Sequence, residues 1–518
     1  MQPSVPDDQP AYVVRTDLSG GINTRQYASE IGENQCVALT NADLGIPGET
    51  SKRPGSVFIG SDVGAASPVT LHNYEINGAT DQLLMYEDTH LHKWEGTGNW
   101  SALKSDFTTS TECAIISAKM SGISPDDICI IQNGQDNAFS LQSDGTMADL
   151  GSTAGTGSDS PPSSQVMAWY GNRIWVLSNT NLYFSAAYSA DYSSAFDTVS
   201  DVFRIPVGVE RGLAVTRDLG LVCIGDEAIW SIFPSATPAA TDRPEPLVPN
   251  MGCVGNNAWC FAGDDIYFFA PDGLRELRRT VQDKLQVGVT YPISYALKDN
   301  FESIAWTYKD RISMSYFDNK IFITVPTSVS TFETWIYYPA TNAFSVMSGI
   351  SPRCYAKYSV SGEEQLFYGK HGDGDVYRGW YGYTDEGTTT TNGTAISMTI
   401  DTRMENLGQV LQRKVGAEIE VRGKATGNYD VNVYAQFDAA GWNSVGTLNL
   451  TGNLVTFPTT FPVSFTDIAI AREKFHIDSY GEWRNAQVRL TQTTKNDDKQ
   501  ISIIEHSIVA TPIEYQSE

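Results

Sequence analysis

His90 and His92 stand two residues apart in "THLHKW", a spacing that on a β-strand turns both imidazoles to one face and offers two nitrogens to a metal. No third ligand accompanies them, and the segment reads as an ordinary strand face. In "KHGDGDVYRGW" at 370–380, Asp373 and Asp375 alternate in a glycine-rich turn, as in the opening of a calcium loop. The twelfth position counted from Asp373 is Thr384, where such a loop needs Glu, so a hairpin turn with exposed aspartates is expected. Nucleophile-elbow, phosphate-loop and HExxH patterns are missing. The six histidines, His72, His90, His92, His371, His476 and His506, are a poor stock for acid–base chemistry. A propeller sialidase would repeat the turn S-x-D-x-G-x-x-W; "DSYGEWRN" at 478–485 approaches it once, with the wrong spacing. With 61 acidic residues, carboxylate pairs at a glycosidase separation arise by chance. The residues therefore predict no catalytic group, no cofactor and no metal site, and a chain that is not an enzyme.

The elements behind these residues are strands. Apolar residues recur with a period of two nearly everywhere, long amphipathic helices are absent, and hairpin signals punctuate the chain at Gly171-Asn172, Gly225-Asp226, Gly263-Asp264-Asp265, Asp272-Gly273, Asp318-Asn319 and Gly372-Asp373-Gly374. Seven segments repeat one scheme, a strand running into a polar turn from which an aromatic-bearing strand leaves. They begin with "LLMYEDTHLHKWEG" at 83–96 and end with "CYAKYSVSGEEQLFYGKHGDGDVYRGW" at 354–380. Their spacing of about 30 to 55 residues matches propeller blades, and six to eight blades are expected over 61–385. Trp94, Trp175, Trp230, Trp259 and Trp335 fall at regular strand positions beside the turns, which predicts packing between blades. Beyond the Thr-rich "TDEGTTTTNGTA", residues 396–518 hold about seven alternating strands, the size of a β-sandwich. The fold class expected is all-β: a β-propeller with a C-terminal β-sandwich.

Composition bounds the function. A net charge of −26 opposes tight DNA binding, because counterion release on phosphate requires the opposite sign. No apolar run is long enough to span a bilayer as a helix, and "MQPSVPDDQPAYVVR" lacks a basic start and an apolar stretch of the secretory kind. The seven cysteines include no CxxC pair and read as reduced, buried thiols of a protein made in a cytoplasm. A soluble chain without membrane insertion follows.

The segment 17–55, "DLSGGINTRQYASEIGENQCVALTNADLGIPGETSKRPG", has turns, caps and no nucleophile–base pair. Residues 29–41 read as a short helix capped by Ser29 with Ile31, Cys36 and Leu39 inward, followed by two short strands about a Pro47-Gly48 turn. The same letters resemble a start found in tail nozzle or tail-hub proteins of short-tailed bacteriophages: "GG-(I/L)-N-(T/S)", then "N-Q", "N-x-D-L" and "R-P-G". The matching residues are Gly20, Gly21, Ile22, Asn23, Thr24, Asn34, Gln35, Asn41, Asp43, Leu44, Arg53, Pro54 and Gly55. Family members resemble this chain also in being acidic propellers with an added sandwich.

The resemblance implies a virion protein of the tail, assembled in the host cytoplasm into a homo-oligomeric, hexameric ring. Such a ring joins a portal-side adaptor to distal tail or fibre proteins and encloses a channel through which double-stranded DNA passes without tight binding. About half of the net charge falls in residues 1–150 and about −4 in 396–518, so early propeller loops are expected to face the channel and the sandwich to contact proteins. Residues 1–60 are expected to act as a latch, built on Gly20, Gly21, Asn23, Asn34, Gln35, Asn41, Asp43, Arg53, Pro54 and Gly55. In it "AYVVRTDL" at 11–18 would complete the last blade or reach a neighbouring subunit. A propeller glycosidase acting on surface glycans and a peripheral receptor-binding tail module are the competing readings.

Overall fold

The computed structural model describes residues 10–64, 66–109, 112–151, 159–239, 241–286, 290–408, 411–451, 470–496 and 499–513. Within these, α-helix is confined to Leu277–Gln286 and Lys298–Glu302, four short 3-10 turns occur, and the rest is strand, turn and loop.

Seven antiparallel sheets follow one another along the chain, at 68–104, 114–149, 167–204, 210–248, 259–276, 313–347 and 352–379; they are called blades 1 to 7 below. Six have four strands. Blade 5 has three, and the helix Leu277–Gln286 follows where a fourth strand would stand. The first strand of each blade is innermost and packs beside its neighbours around a common axis, and the circle closes where the Cys354 thiol of blade 7 donates to the Pro68 carbonyl of blade 1. All seven repeating segments of the sequence correspond to blades. Gly171-Asn172 and Asp318-Asn319 carry positive φ at both positions, the backbone of the tight turn that matches strand twist.

The alternation expected nearly everywhere fails in the second strand of several blades. Gln82–Glu87, Gly220–Gly225, Asp265–Ala270 and Lys320–Pro326 are buried at every residue, because each lies mid-blade with another blade against either face. Trp94, Trp175 and Trp335 sit in this inter-blade core, with Trp230 and Trp259 half-buried beside it. All seven cysteines are buried free thiols.

The C-terminal strands form two facing sheets. In one, Lys414–Lys424 lies between Ile470–His476 and Ser502–Pro512; in the other the order is Met398–Thr402, Ala486–Gln492, Asp430–Phe437 and Trp442–Asn449. Ile419, Val421 and Ile508 of the first and Val431, Val433, Val488 and Leu490 of the second are fully buried between them. The second sheet does not stop at this domain. Gln35–Thr40 is inserted between the sandwich strand Met398–Thr402 and Ala343–Met347 of blade 6, making one continuous ten-stranded sheet.

Two expectations about the N-terminal segment are corrected here. Ala11–Arg15 does not close the propeller; it pairs along Ser502–Pro512 in the sandwich, from Ala11 opposite Ala510 to Arg15 opposite His506. Closure belongs to Ser56–Phe58, the fourth strand of blade 7 beside Val376–Gly379. The helix expected over 29–41 is a turn followed by the strand Gln35–Thr40. Ile31, Cys36 and Leu39 are buried as expected, but two open sheet edges offer this short stretch more hydrogen bonds than an isolated short helix retains. The paired strands about Pro47-Gly48 are present as Ala42–Asp43 and Thr50–Lys52.

Candidate functional site

The latch residues gather into three clusters. At the centre of the first, Arg53 is 1% exposed and spends its whole guanidinium. Nη1 and Nη2 donate to the two carboxylate oxygens of Asp385 at 2.8 and 2.6 Å, Nη2 also to the Ser348 carbonyl at 3.0 Å, and Nε to Asn41 Oδ1 at 2.8 Å. Asn41, in the left-handed region at φ 55°, accepts from the Ser348 amide through Oδ1 and donates through Nδ2 to the Ser397 carbonyl at 2.8 Å. One buried ion pair thus ties the latch to blade 6 and to the stretch leading into the sandwich. Pro54 follows in the turn, its carbonyl accepting from Arg53 Nη1. At Gly55 a Cβ would lie 2.0 Å from the Thr384 carbonyl oxygen, so any side chain would force the closing strand off its partner.

The second cluster holds Gly20, Gly21, Asn23, Asn34 and Gln35. The Gly20 amide donates to the Asn34 carbonyl, Asn23 Nδ2 donates to Gln35 Oε1 at 2.9 Å, and Gly21, at φ 68°, leaves a Cβ no room against the Phe344 carbonyl of blade 6. Asp43 stands apart with blade 6: Tyr338 donates to it at 3.0 Å, and burial pushes its carboxyl upward against the pull of Lys320.

Asp385 and Lys52 complete the first cluster and were not singled out from the sequence. Asp385 lies in the Thr-rich stretch 384–395, which is pinned by reciprocal backbone bonds between Asp385 and Thr394. Lys52 is fully buried and donates to Gln492 Oε1 at 2.5 Å, the Thr494 carbonyl at 3.0 Å and Asn496 Oδ1 at 3.4 Å, all neutral acceptors. Burial, with Arg53 beside it, lowers the Lys52 ammonium to about 7.

A second polar assembly occupies the propeller axis. At or just before the innermost strands stand Glu112, Gln165, Arg211, Asn256, Asp310 and Arg353, one each from blades 2 to 7. Asn256 Nδ2 reaches across the axis to Glu112 Oε2 at 2.5 Å, and Arg211 donates to Asn256 Oδ1 at 3.4 Å. A cavity of about 180 Å³ is lined by four of them, Glu112, Gln165, Arg211 and Asn256, together with Trp259 and Thr70. Burial raises the Glu112 carboxyl, opposed by Arg211 and Arg353 and reinforced by Asp310. The signal that would have found this ring is positional: a polar residue at the mouth of each innermost strand.

His90 and His92 do place their rings side by side, 5.7 Å between centroids, and His92 faces Glu87 at 3.2 Å. Asp373 and Asp375 are joined by Asp62, and among the described residues these three carboxylates are the group able to converge on one ion.

No family model and no curated protein matches the chain. Among solved structures it is similar to the extracellular domain of a hybrid two component system of B. thetaiotaomicron (9% identity, 63% of this chain, TM-score 0.38). The chain spans 40% of the length of that structure. It is similar also to BBS1N in its complex with ARL6DN (11% identity, 63% of this chain and 97% of that one, TM-score 0.38). A third is an exo-beta-1,3-galactanase from Phanerochaete chrysosporium (11% identity, 89% and 99% covered, TM-score 0.28). At these values the likeness is one of fold class. The expectation that the chain is not an enzyme is not retained, since an exo-beta-1,3-galactanase stands among the similar structures.

Proposed function

We propose that this chain is a ring-forming structural subunit of a bacteriophage tail, joining a portal-side adaptor to distal tail or fibre proteins, with copies that together enclose an acidic passage for genome exit. The observation that carries the reading is the latch. The stretch bearing the "GGINT", "NQ", "NADL" and "RPG" residues closes the propeller, continues blade 6 into the sandwich and is locked by the Arg53–Asp385 pair. Such a block transmits load between its two parts, as a joint in a conduit must.

The passage runs between copies. A duplex is about 20 Å across, while the propeller's own axis is bridged by the Asn256–Glu112 bond. A wall of like charge leaves exiting DNA hydrated and mobile. Electron microscopy of the purified protein, alone and with the adaptor, tests this: closed rings, sixfold, with an acidic lumen of about 20 Å or more support it. A monomer that never assembles, or a lumen lined by basic residues, refutes it.

A second reading, glycan hydrolysis at the axis, is favoured by Glu112. Its raised carboxyl suits a general acid, and Asp310 is the nearby second carboxylate. Release of reducing sugar from surface glycans that disappears in Glu112→Gln supports this reading; no release, or release indifferent to that change, removes it.

A further inference from the structure

Blade 5 departs from the sevenfold pattern, and the departure builds a groove. After the helix Leu277–Gln286 the chain returns through 290–297 beside the latch, leaving an open cleft of about 740 Å³ lined by Arg25, Asp272, Arg275, Tyr291, Tyr295 and Phe301 among others. Tyr291 is 70% exposed, yet its ring is held against Tyr295 at 4.1 Å between centroids. Tyr295 is fixed in turn, since the Arg25 guanidinium lies 3.6 Å from its ring centroid and Arg25 Nε donates to its carbonyl. Propeller packing leaves this exposed aromatic face uncovered, and it is pre-organised at little entropic cost.

The polar rim is built as firmly. Arg275, 3% exposed, donates through Nε and Nη2 to the two oxygens of Asp272 and through Nη2 to the Thr290 carbonyl at 2.9 Å. The Asp272 side chain, 45% exposed, is thereby held at the rim in reach of solvent. We propose that this groove binds a saccharide of neutral hexopyranose rings. The C–H face of a pyranose packs on the Tyr291 ring, its edge hydroxyls donate to Asp272, and the volume accommodates a short oligosaccharide. The site lies outside both the latch pair and the axis, and the inference does not depend on ring assembly.

The test is calorimetric titration of the full chain with cellotriose, a β-1,3-galactotriose and trigalacturonic acid, repeated on Tyr291→Ala and Asp272→Asn. Saturable binding of a neutral trisaccharide is expected, weakened about tenfold or more by Tyr291→Ala, with melting temperature and assembly size unchanged. Binding of trigalacturonate alone would overturn the neutral assignment. Absence of binding by all three, or binding indifferent to Tyr291→Ala, would overturn the site. If Tyr291→Ala instead alters assembly size and no sugar binds, the ring face belongs to a contact between copies and the proposal fails, while the tail reading stands.

Discussion

The latch pair and the axial ring are made from the same residue types, Arg, Asn and a carboxylate, and they do opposite things with them. At the latch, Arg53 meets a bidentate carboxylate, an amide oxygen and two carbonyls, so its own charge is matched and all its donors are taken up within the protein. At the axis, Glu112, Gln165, Arg211 and Asn256 line a cavity, and burial holds the Glu112 carboxyl upward even with Arg211 and Arg353 in reach. A polar cluster that encloses only itself fixes a fold; one that encloses space keeps the capacity to take up water or a ligand.

The largest effect that would test this contrast is removal of residues 10–58. Loss of the closing strand Ser56–Phe58, the bridging strand Gln35–Thr40 and the Ala11–Arg15 pairing exposes three sheet edges at once. Insoluble protein or loss of cooperative melting is expected, and a folded, fully assembled truncation would contradict the role given to the latch. Next comes the pair itself. Arg53→Met leaves Asp385 buried without its cation, at a cost of about 3–5 kcal/mol by denaturant unfolding. Adding Asp385→Leu should recover part of that loss. A double variant no better than Arg53→Met would show that Asn41 and the carbonyls, and not the pair, dominate.

Much of this was legible in the sequence because it is local. Each blade announces itself by a strand, a turn with Gly, Asn or Asp at positive φ, and an aromatic strand, as at Gly171-Asn172 and Asp318-Asn319. What was hidden is pairing between distant segments. Nothing in "AYVVR" marks Ser502–Pro512 as its partner, and nothing near Arg53 marks Asp385, more than 300 residues on, as the acid that holds it. Residues 29–41 carry local signals for a helix cap, yet Gln35–Thr40 lies where two sheets each lack a strand, and tertiary hydrogen bonding overrides propensity. The axial ring was missed for a related reason: six residues scattered from 112 to 353 converge only once the blades close.

Beside the pair, Lys52 gives the latch a pH dependence. Its ammonium titrates near 7 in the folded protein against 10.5 as an ordinary lysine, so between those values the unfolded chain holds more protons. Stability should therefore rise as pH goes from about 7 toward 10.5, and Lys52→Met should flatten that part of the profile. Urea midpoints at pH 7, 8 and 9 read the slope. An identical slope in Lys52→Met would assign it elsewhere.

The smallest effect is the sharpest comparison, because one chemical change is made at both sites. Asp385→Asn replaces an oxygen that accepts from Arg53 with an amide whose hydrogens face it, in a space with no room to rearrange, and about 2–4 kcal/mol should be lost. Glu112→Gln is made beside a cavity, where Asn256 can turn its amide and water can reach Arg211, so the change should stay within about 1 kcal/mol. The pH profile separates the two further. A carboxyl raised in the folded state binds its proton more tightly there, so Glu112 contributes stability at low pH that is lost as pH rises above its ordinary value of 4.5, and Glu112→Gln should remove that decline. Equal losses at the two positions would mean that the axis is as tightly self-satisfied as the latch, and the cavity between its side chains would then have no claim on a ligand.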